Sequence, residues 1–517
     1  MKVDEKRLIS ALLTLKSELP FMENYVRKLI SSKGLPGFVS VFKNLKTWAL
    51  QIVSGNRDYK VEWFRSRVYK GYRIPSRYSK LFIPLIDICR RIESNPKIVK
   101  VFRRQIRLIL SAINIYQIVE GPCQLDMLKQ TQTAFAPLPA VDPVKDLRYK
   151  SILRLACYAI LVDCRVSTEK LVRTGQTVAL SPGRNGSWYD FVASELFTAL
   201  ADWQSEDYGN LLTPDRLLLK PRNLFQGNLT FLGESGGKTR MILVGEPFIQ
   251  SQLIPLKRKL LDILHDIPTD CTFNQKEGVD FIRKSYELGK PLFSVDLSDA
   301  TWNFPSSLQE CVLRNLGVSR KIRDLIFRTP VYSSLTKEIR LVLKGQAMGL
   351  GPSFPLFSLT HNLVLAGLCK MIGEDPSKSY RVLGDDVILT NPKLRECYLT
   401  FLKDYEVPIS LGKTLTSRTT AEFAGKVIFH GVDITPIKWR SLSWNSLPQL
   451  YWDYRSIIGK KYLHLLFGKK ARISLAVLGP LSRKIGGLGL IYSQDTTSHK
   501  ILQLRCGVLE SILEGDT

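Results

Sequence analysis

The chain has 517 residues, 44% of them apolar, and carries 74 Lys and Arg against 47 Asp and Glu for a formal charge of +27. Those values describe a globular protein with a large core, more than one subdomain and a polyanionic partner, most simply nucleic acid. Nine Cys without a CxxC pair, and five His that do not cluster with them, argue against a zinc site and a disulfide framework, and fit a reducing intracellular compartment.

The first stretch, to about residue 145, reads as helical and basic. Residues 97–110 repeat apolar positions at helical spacing, with Arg103, Arg104 and Arg107 on the other faces. The opening 19 residues carry early acids and resemble neither a signal peptide nor an Arg-rich transit peptide. Residues 59–78 interleave Trp63, Phe64, Tyr69 and Tyr72 with Arg65, Arg67, Lys70 and Arg73. Two readings stay open there: rings and cations for a single-stranded nucleic acid, or core aromatics beneath a solvated basic face. Residues 132–143 read as an Ala/Pro-rich linker, 150–162 as a helix and 181–187 as an exposed loop.

Next, GESGGKTRMILV (233–244) places Lys238 and Arg240 two apart at the start of a strand. Side chains two apart share a strand face, so these cations could hold a triphosphate or simply be a solvated basic turn. The spacing is not that of a P-loop. Residues 247–263 read as a helix. PLFSVDLSDAT (291–301) is an apolar strand ending in Asp296, with Asp299 beyond it. Ser298 and Asp299 suit a helix cap, whereas Asp296 lies within the apolar run, where a metal ligand is the more natural reading. Residues 345–369 lack Asp, Glu, Lys and Arg. Their many Gly, Pro, Ser, Thr and Asn residues predict a glycine-rich loop feeding a buried helix, not a membrane span.

YRVLGDDVILT (380–390) predicts a β-hairpin with Gly384-Asp385-Asp386 at its tip. Adjacent carboxylates there call for a hard cation, Mg²⁺ or Mn²⁺, although Gly and Asp are also ordinary turn residues. VPISLGKTLT (407–416) then puts Lys413 past a further apolar strand. The remainder is again aromatic and basic.

One reaction unites these residues. Nucleotidyl transfer uses two metal ions between an attacking 3′-hydroxyl and a departing pyrophosphate. Asp296 and Asp385 would hold the metals with Asp386 assisting, Lys238 and Arg240 would neutralise a triphosphate, and Lys413 would act as general acid.

The ordered set GGKTR, IPTDCTFNQKEG, SVDLSDAT, GQAMGLGPSFPLFSLTHN, VLGDDVILT, PISLGKTLTS and EFAGK resembles the viral RNA-dependent RNA polymerases of the mitovirus, narnavirus and ourmia-like group, relatives of leviviral replicases. The resemblance covers about residues 233–440. It implies an α+β right-hand fold with a mostly helical N-terminal extension (1–145), fingers (146–290), palm (291–440, with a fingers insertion at about 306–340) and thumb (441–517). It assigns Asp296, Asp385 and Asp386 to the palm metals (two Mg²⁺ or Mn²⁺), Lys413 to the general acid, and Lys238 and Arg240 to the nucleotide. Gly349 and Ser353 fall in the loop contacting template and nucleotide, and Glu422 and Phe423 in the motif joining palm to thumb. Relatives place an Asp after the Ala-Thr of the first palm motif to read the ribose 2′-hydroxyl. Here that place is Trp302, leaving the role to Asp299 or Asn303.

The implied partners are single-stranded RNA template, product RNA, nucleoside triphosphates and host factors, with no membrane span. The implied compartment is inside the host cell, mitochondrion or cytoplasm. A mobile-intron reverse transcriptase and a non-catalytic RNA-binding protein on a polymerase fold are the competing readings.

Overall fold

The computed structural model describes residues 18–121, 124–161, 226–410 and 414–439, together with the single positions 2, 3, 8, 11, 12, 15, 16, 412 and 457. The loop expected at 181–187, Lys413, and the aromatic-basic remainder beyond 439, with the expected thumb, lie outside them. The chain divides into two units: residues 1–121, 234–238 and 432–517 form the first, and 122–233 with 239–431 the second.

In the first unit, helix α1 (Met22–Val53) breaks its helical geometry at Gly34, two residues before Pro36, whose ring cannot continue a helical hydrogen-bond ladder. Its C-terminal half carries Trp48, fully buried and edged by Tyr59, Phe64 and Phe82 at centroid distances of 5.8, 5.8 and 6.4 Å. The Trp48 indole N–H donates to the carbonyl of Arg73 at 2.9 Å. That carbonyl lies in the hairpin β1 (Ser66–Tyr69) and β2 (Tyr72–Pro75). Of the rings in the 59–78 stretch, Tyr72 and Tyr78 are buried, Tyr59, Phe64 and Tyr69 are half-buried, and Trp63 is 54% exposed, stacked on Phe64 at 4.1 Å. Helices α2 (Ser79–Ser94) and α3 (Val99–Ile113) follow. The arginines of α3 are structural anchors: Arg103 and Arg107 donate to the carbonyls of Asp433 and Thr435, each at 2.8 Å.

The second unit opens with α4 (Gln124–Ala134) and α5 (Pro143–Leu161), so the expected linker is helical in its first three residues, irregular over 135–142, and ends at the first residue of α5. Strands β3 (Gly227–Glu234) and β4 (Lys238–Gly245) lead to α6 (Pro247–His265) and α7 (Gln275–Glu287). After β5 (Leu292–Asp296) come α8 (Ala300–Asn303), α9 (Ser306–Asn315), α10 (Arg320–Phe327), β6 (Val331–Ser333) and β7 (Glu338–Arg340). The order β4-β3-β6-β7 makes one four-stranded sheet.

The charge-free window is the expected loop and buried helix: α11 (Ser353–Met371) is buried at nearly every position from Ser353 to Cys369 and packs on α5 and α6. No helix among the described residues is long and apolar enough to cross a membrane. A short α12 (Pro376–Ser379), the hairpin β8 (Tyr380–Leu383) and β9 (Asp386–Leu389), α13 (Pro392–Asp404), β10 (Leu415–Ser417), and the hairpin β11 (Thr420–Phe423) and β12 (Lys426–Phe429) complete the unit. The second sheet, ordered β8-β9-β5-β10, carries the acidic motifs. Residues 269–271 extend it beyond β8, Val382 N–H donating to Thr269 and Cys271 N–H to Val382 at 3.0 and 2.8 Å.

Candidate active site

Strand β5 is buried from Leu292 to Val295 and ends at a half-buried Asp296. Strand β9 runs antiparallel beside it, pairing Val387 with Val295 and Asp386 with Asp296. Residues paired across such a ladder share a face, with Cβ atoms about 4.5–5.5 Å apart, and like charges there repel. The opposed carboxylates of Asp296 and Asp386 therefore favour a cation between them.

Asp385 joins from the turn. Leu383 pairs with Asp386, so Gly384 and Asp385 alone connect β8 to β9. Gly384 has φ +57, the glycine-first pattern of a type II′ hairpin turn. Its neighbour Asp385 is exposed. Hard carboxylate oxygens suit Mg²⁺ or Mn²⁺, and Mg²⁺ takes one or two protein carboxylates while keeping waters and substrate phosphates. Among the described residues no three His, Cys, Asp or Glu side chains converge as a closed cage. The paired carboxylate oxygens of Asp296 and Asp386 fit a hard divalent ion.

The end of β5 is fixed by its backbone. Ser410 N–H donates to Asp296 O at 2.9 Å and Ser298 N–H to Pro408 O at 2.8 Å. Asp299 then adopts left-handed backbone (φ 46, ψ 46) and stays exposed. Asn303, only 3% exposed, donates its amide to the carbonyls of Asp299 at 3.1 Å and Ser298 at 3.4 Å. It braces the turn on which Asp299 stands. Trp302, at 4% exposure, is a member of the apolar core.

On β4, Lys238 is exposed and Arg240 half-buried, with Thr239 and Met241 buried, as alternation requires. The residue division places Lys238 in the first unit and Arg240 in the second. The Arg240 guanidinium reaches Met348 Sδ at 4.0 Å. Met348 precedes Gly349 in the glycine-rich loop. Gly349 has φ +109, and a Cβ there would lie 2.4 Å from Leu243 O. Ser353, buried, begins α11.

The family profile for the mitovirus RNA-dependent RNA polymerase matches residues 188–457, just over half of the chain. The chain belongs to the mitovirus RNA-dependent RNA polymerases. It is 26% identical over 213 residues to the RNA-directed RNA polymerase of Cryphonectria parasitica mitovirus 1, covering 39% of this chain and 25% of that polymerase. The match therefore spans about a quarter of the length of that relative. An uncharacterized mitochondrial protein of Arabidopsis thaliana is 29% identical over 160 residues, covering 29% of this chain and 76% of that protein. The BmCPV RNA-dependent RNA polymerase at elongation state shares the fold, with a TM-score of 0.51 at 11% identity, over 89% of this chain and 47% of that one. The fold is accordingly the right-hand polymerase fold.

In this mitovirus-type polymerase, the acidic turn has a buried support. His361 on α11 is fully buried, its Nδ1 2.8 Å from Gly384 O and its Nε2 2.6 Å from the Tyr398 hydroxyl. A carbonyl can only accept, so Nδ1 carries the proton and Nε2 accepts from Tyr398. Burial holds His361 neutral by lowering its pKa from 6.5 to about 4. It also lifts the Tyr398 hydroxyl well above its usual range, helped by the negative charge of Asp385. Phe357, His361 and Tyr398 stack at 5.5 and 5.7 Å beneath the turn. The sequence hid this: His361 and Tyr398 lie 23 residues before Gly384 and 37 residues after His361, in helices with no local signal of a shared contact.

Proposed function

We propose that the chain is an RNA-directed RNA polymerase that copies a single-stranded RNA viral genome by nucleotidyl transfer. The observation that carries this reading is Asp386 opposed to Asp296 across the β9–β5 ladder, with Asp385 in the adjoining turn. Two Mg²⁺ or Mn²⁺ ions, bound there with the substrate, would activate the 3′-hydroxyl and stabilise the leaving pyrophosphate. Asp296, Asp385 and Asp386 are the residues that would hold them. Lys238 and Arg240 neutralise the triphosphate, Gly349 and Ser353 belong to the loop that contacts template and nucleotide, and Lys413 gives the pyrophosphate its proton. Asp299, braced by Asn303, takes the sugar-reading place that Trp302 leaves empty by turning into the core. The residue ranges proposed for extension, fingers, palm and thumb are 1–145, 146–290, 291–440 and 441–517. The partners are template and product RNA and nucleoside triphosphates, with host factors supplying the remaining replication functions. Membership of a mitovirus family favours the mitochondrion over the cytoplasm.

The test is RNA synthesis by the purified chain on a single-stranded template with Mg²⁺ or Mn²⁺, with rNTPs and dNTPs in separate reactions. The wild type makes rNTP product. Asp385→Ala loses at least about a thousandfold, since a metal contributes several kcal/mol to the transition state. Asp299→Ala and Asn303→Ala both relax the preference for rNTPs. Incorporation of dNTPs over rNTPs would instead favour a reverse transcriptase, and RNA binding without synthesis a non-catalytic protein.

A further inference from the structure

Strand β4 is the edge of its sheet, and an edge strand leaves a row of N–H and C=O groups without strand partners. Here that row is closed by other means. The Gln130 amide on α4 donates to Thr239 O and accepts from Met241 N–H, the latter at 2.7 Å. Two residues on, Leu243 N–H donates to Met348 O at 2.6 Å. The glycine-rich loop is thus docked on the strand that carries Arg240, and Gly349 is the residue whose missing side chain allows the approach.

A second glutamine shapes the loop. Gln250 on α6 donates from Nε2 to Gly349 O at 2.9 Å and accepts at Oε1 from Gly351 N–H at 2.7 Å. One primary amide meets both needs in a single orientation, as a peptide group would. Gly245, the last residue of β4, makes room for it: a Cβ there would lie 2.1 Å from Gln250 Nε2. We propose that Gln250 is a positioning residue for nucleotide binding, holding the Gly349 loop on β4 so that Met348 and Arg240 form one hydrogen-bonded unit. This inference rests on the polymerase reading.

Its test is steady-state RNA synthesis by the full chain, with KM for rNTP and kcat measured separately and a melting curve for each variant. Gln250→Met keeps length and packing but removes both hydrogen bonds. Gln250→Glu keeps the acceptor for Gly351 and sets a charge against Gly349 O. Gly245→Ala displaces the amide from the other side. All three raise KM about tenfold, as loss of one to two hydrogen bonds to a positioned group implies, with smaller changes in kcat. Arg240→Ala combined with Gln250→Met is no worse than Arg240→Ala alone, because Gln250 acts through that residue. Folded variants with unchanged KM, or fully additive effects, overturn the inference while wild-type activity keeps the polymerase reading. An inactive wild type overturns both. Hydrogen exchange on the wild type needs no variant: the Gly351 and Leu243 amides are protected alike, and fast exchange at Gly351 sinks the proposal.

Discussion

At the scale of single residues, the acidic turn depends on buried groups outside it. Asp385 can stand at the tip of a two-residue turn because His361 holds the carbonyl of the glycine before it. The same burial that keeps His361 a neutral donor makes it a liability in acid. An unfolded chain takes up a proton as pH falls through 6.5, whereas the folded one resists until about 4. The unfolded state binds more protons across that window, so stability falls as pH drops from 6.5 to about 4 and is unaffected above it. The size is about 3 kcal/mol at 1.36 kcal/mol per pKa unit. Urea unfolding of wild type and His361→Gln at a series of pH values checks this; equal pH slopes for the two proteins would show that His361 does not titrate as placed. Trp302 makes the complementary point. As a core residue it is a packing element, and its occurrence in a palm motif does not by itself put a ring in the nucleotide site.

At the scale of elements, the two four-stranded sheets work through how their backbones are completed. Strand β5 presents Asp296 at its end because residues 408–410 continue the pairing past it. Strand β4 presents Arg240 because the Gln130 amide and a loop stand in for the missing neighbour. Gly349 is where this construction is least tolerant. Its φ of +109 and the 2.4 Å that would separate a Cβ from Leu243 O leave no position for Gly349→Ala without lifting the loop from β4. That variant loses RNA synthesis at least tenfold, and its melting temperature falls as well, because Ala347 and Leu350 on either side of Gly349 are core residues. Full activity in Gly349→Ala would show that the docked loop is not the working conformation.

At the scale of the whole molecule, the charge of +27 predicts the behaviour of the RNA complex more directly than any single contact. Binding that neutralises about eight phosphates of a single strand has a log–log salt slope near −0.7 per phosphate, or a loss of about three orders of magnitude in affinity between 50 and 200 mM salt. Filter binding to single-stranded RNA at several salt concentrations measures the slope, and a shallow one would assign the positive excess to structure. Part of it is structural: Arg103 and Arg107 lie on a face that reads as free cation from sequence, yet they hold the chain at residues 433–435.

What depends on near neighbours along the chain is legible in the linear order of residues. The hairpin bearing Gly384-Asp385-Asp386, the alternation of Lys238 and Arg240, the strand ending in Asp296 and the uncharged buried helix are all local patterns, since periodicity and turn chemistry act over a few residues. The ordered motifs added the family and the fold. Packing in three dimensions sets Asp386 opposite Asp296, Asn303 beneath Asp299, Trp302 in the core and the rings around Trp48. It alone brought Gln250 to Gly349 and His361 to Gly384. Strand register, burial and hydrogen bonds between segments 23 to 101 residues apart are set by how the core packs, and a linear pattern carries no record of that packing.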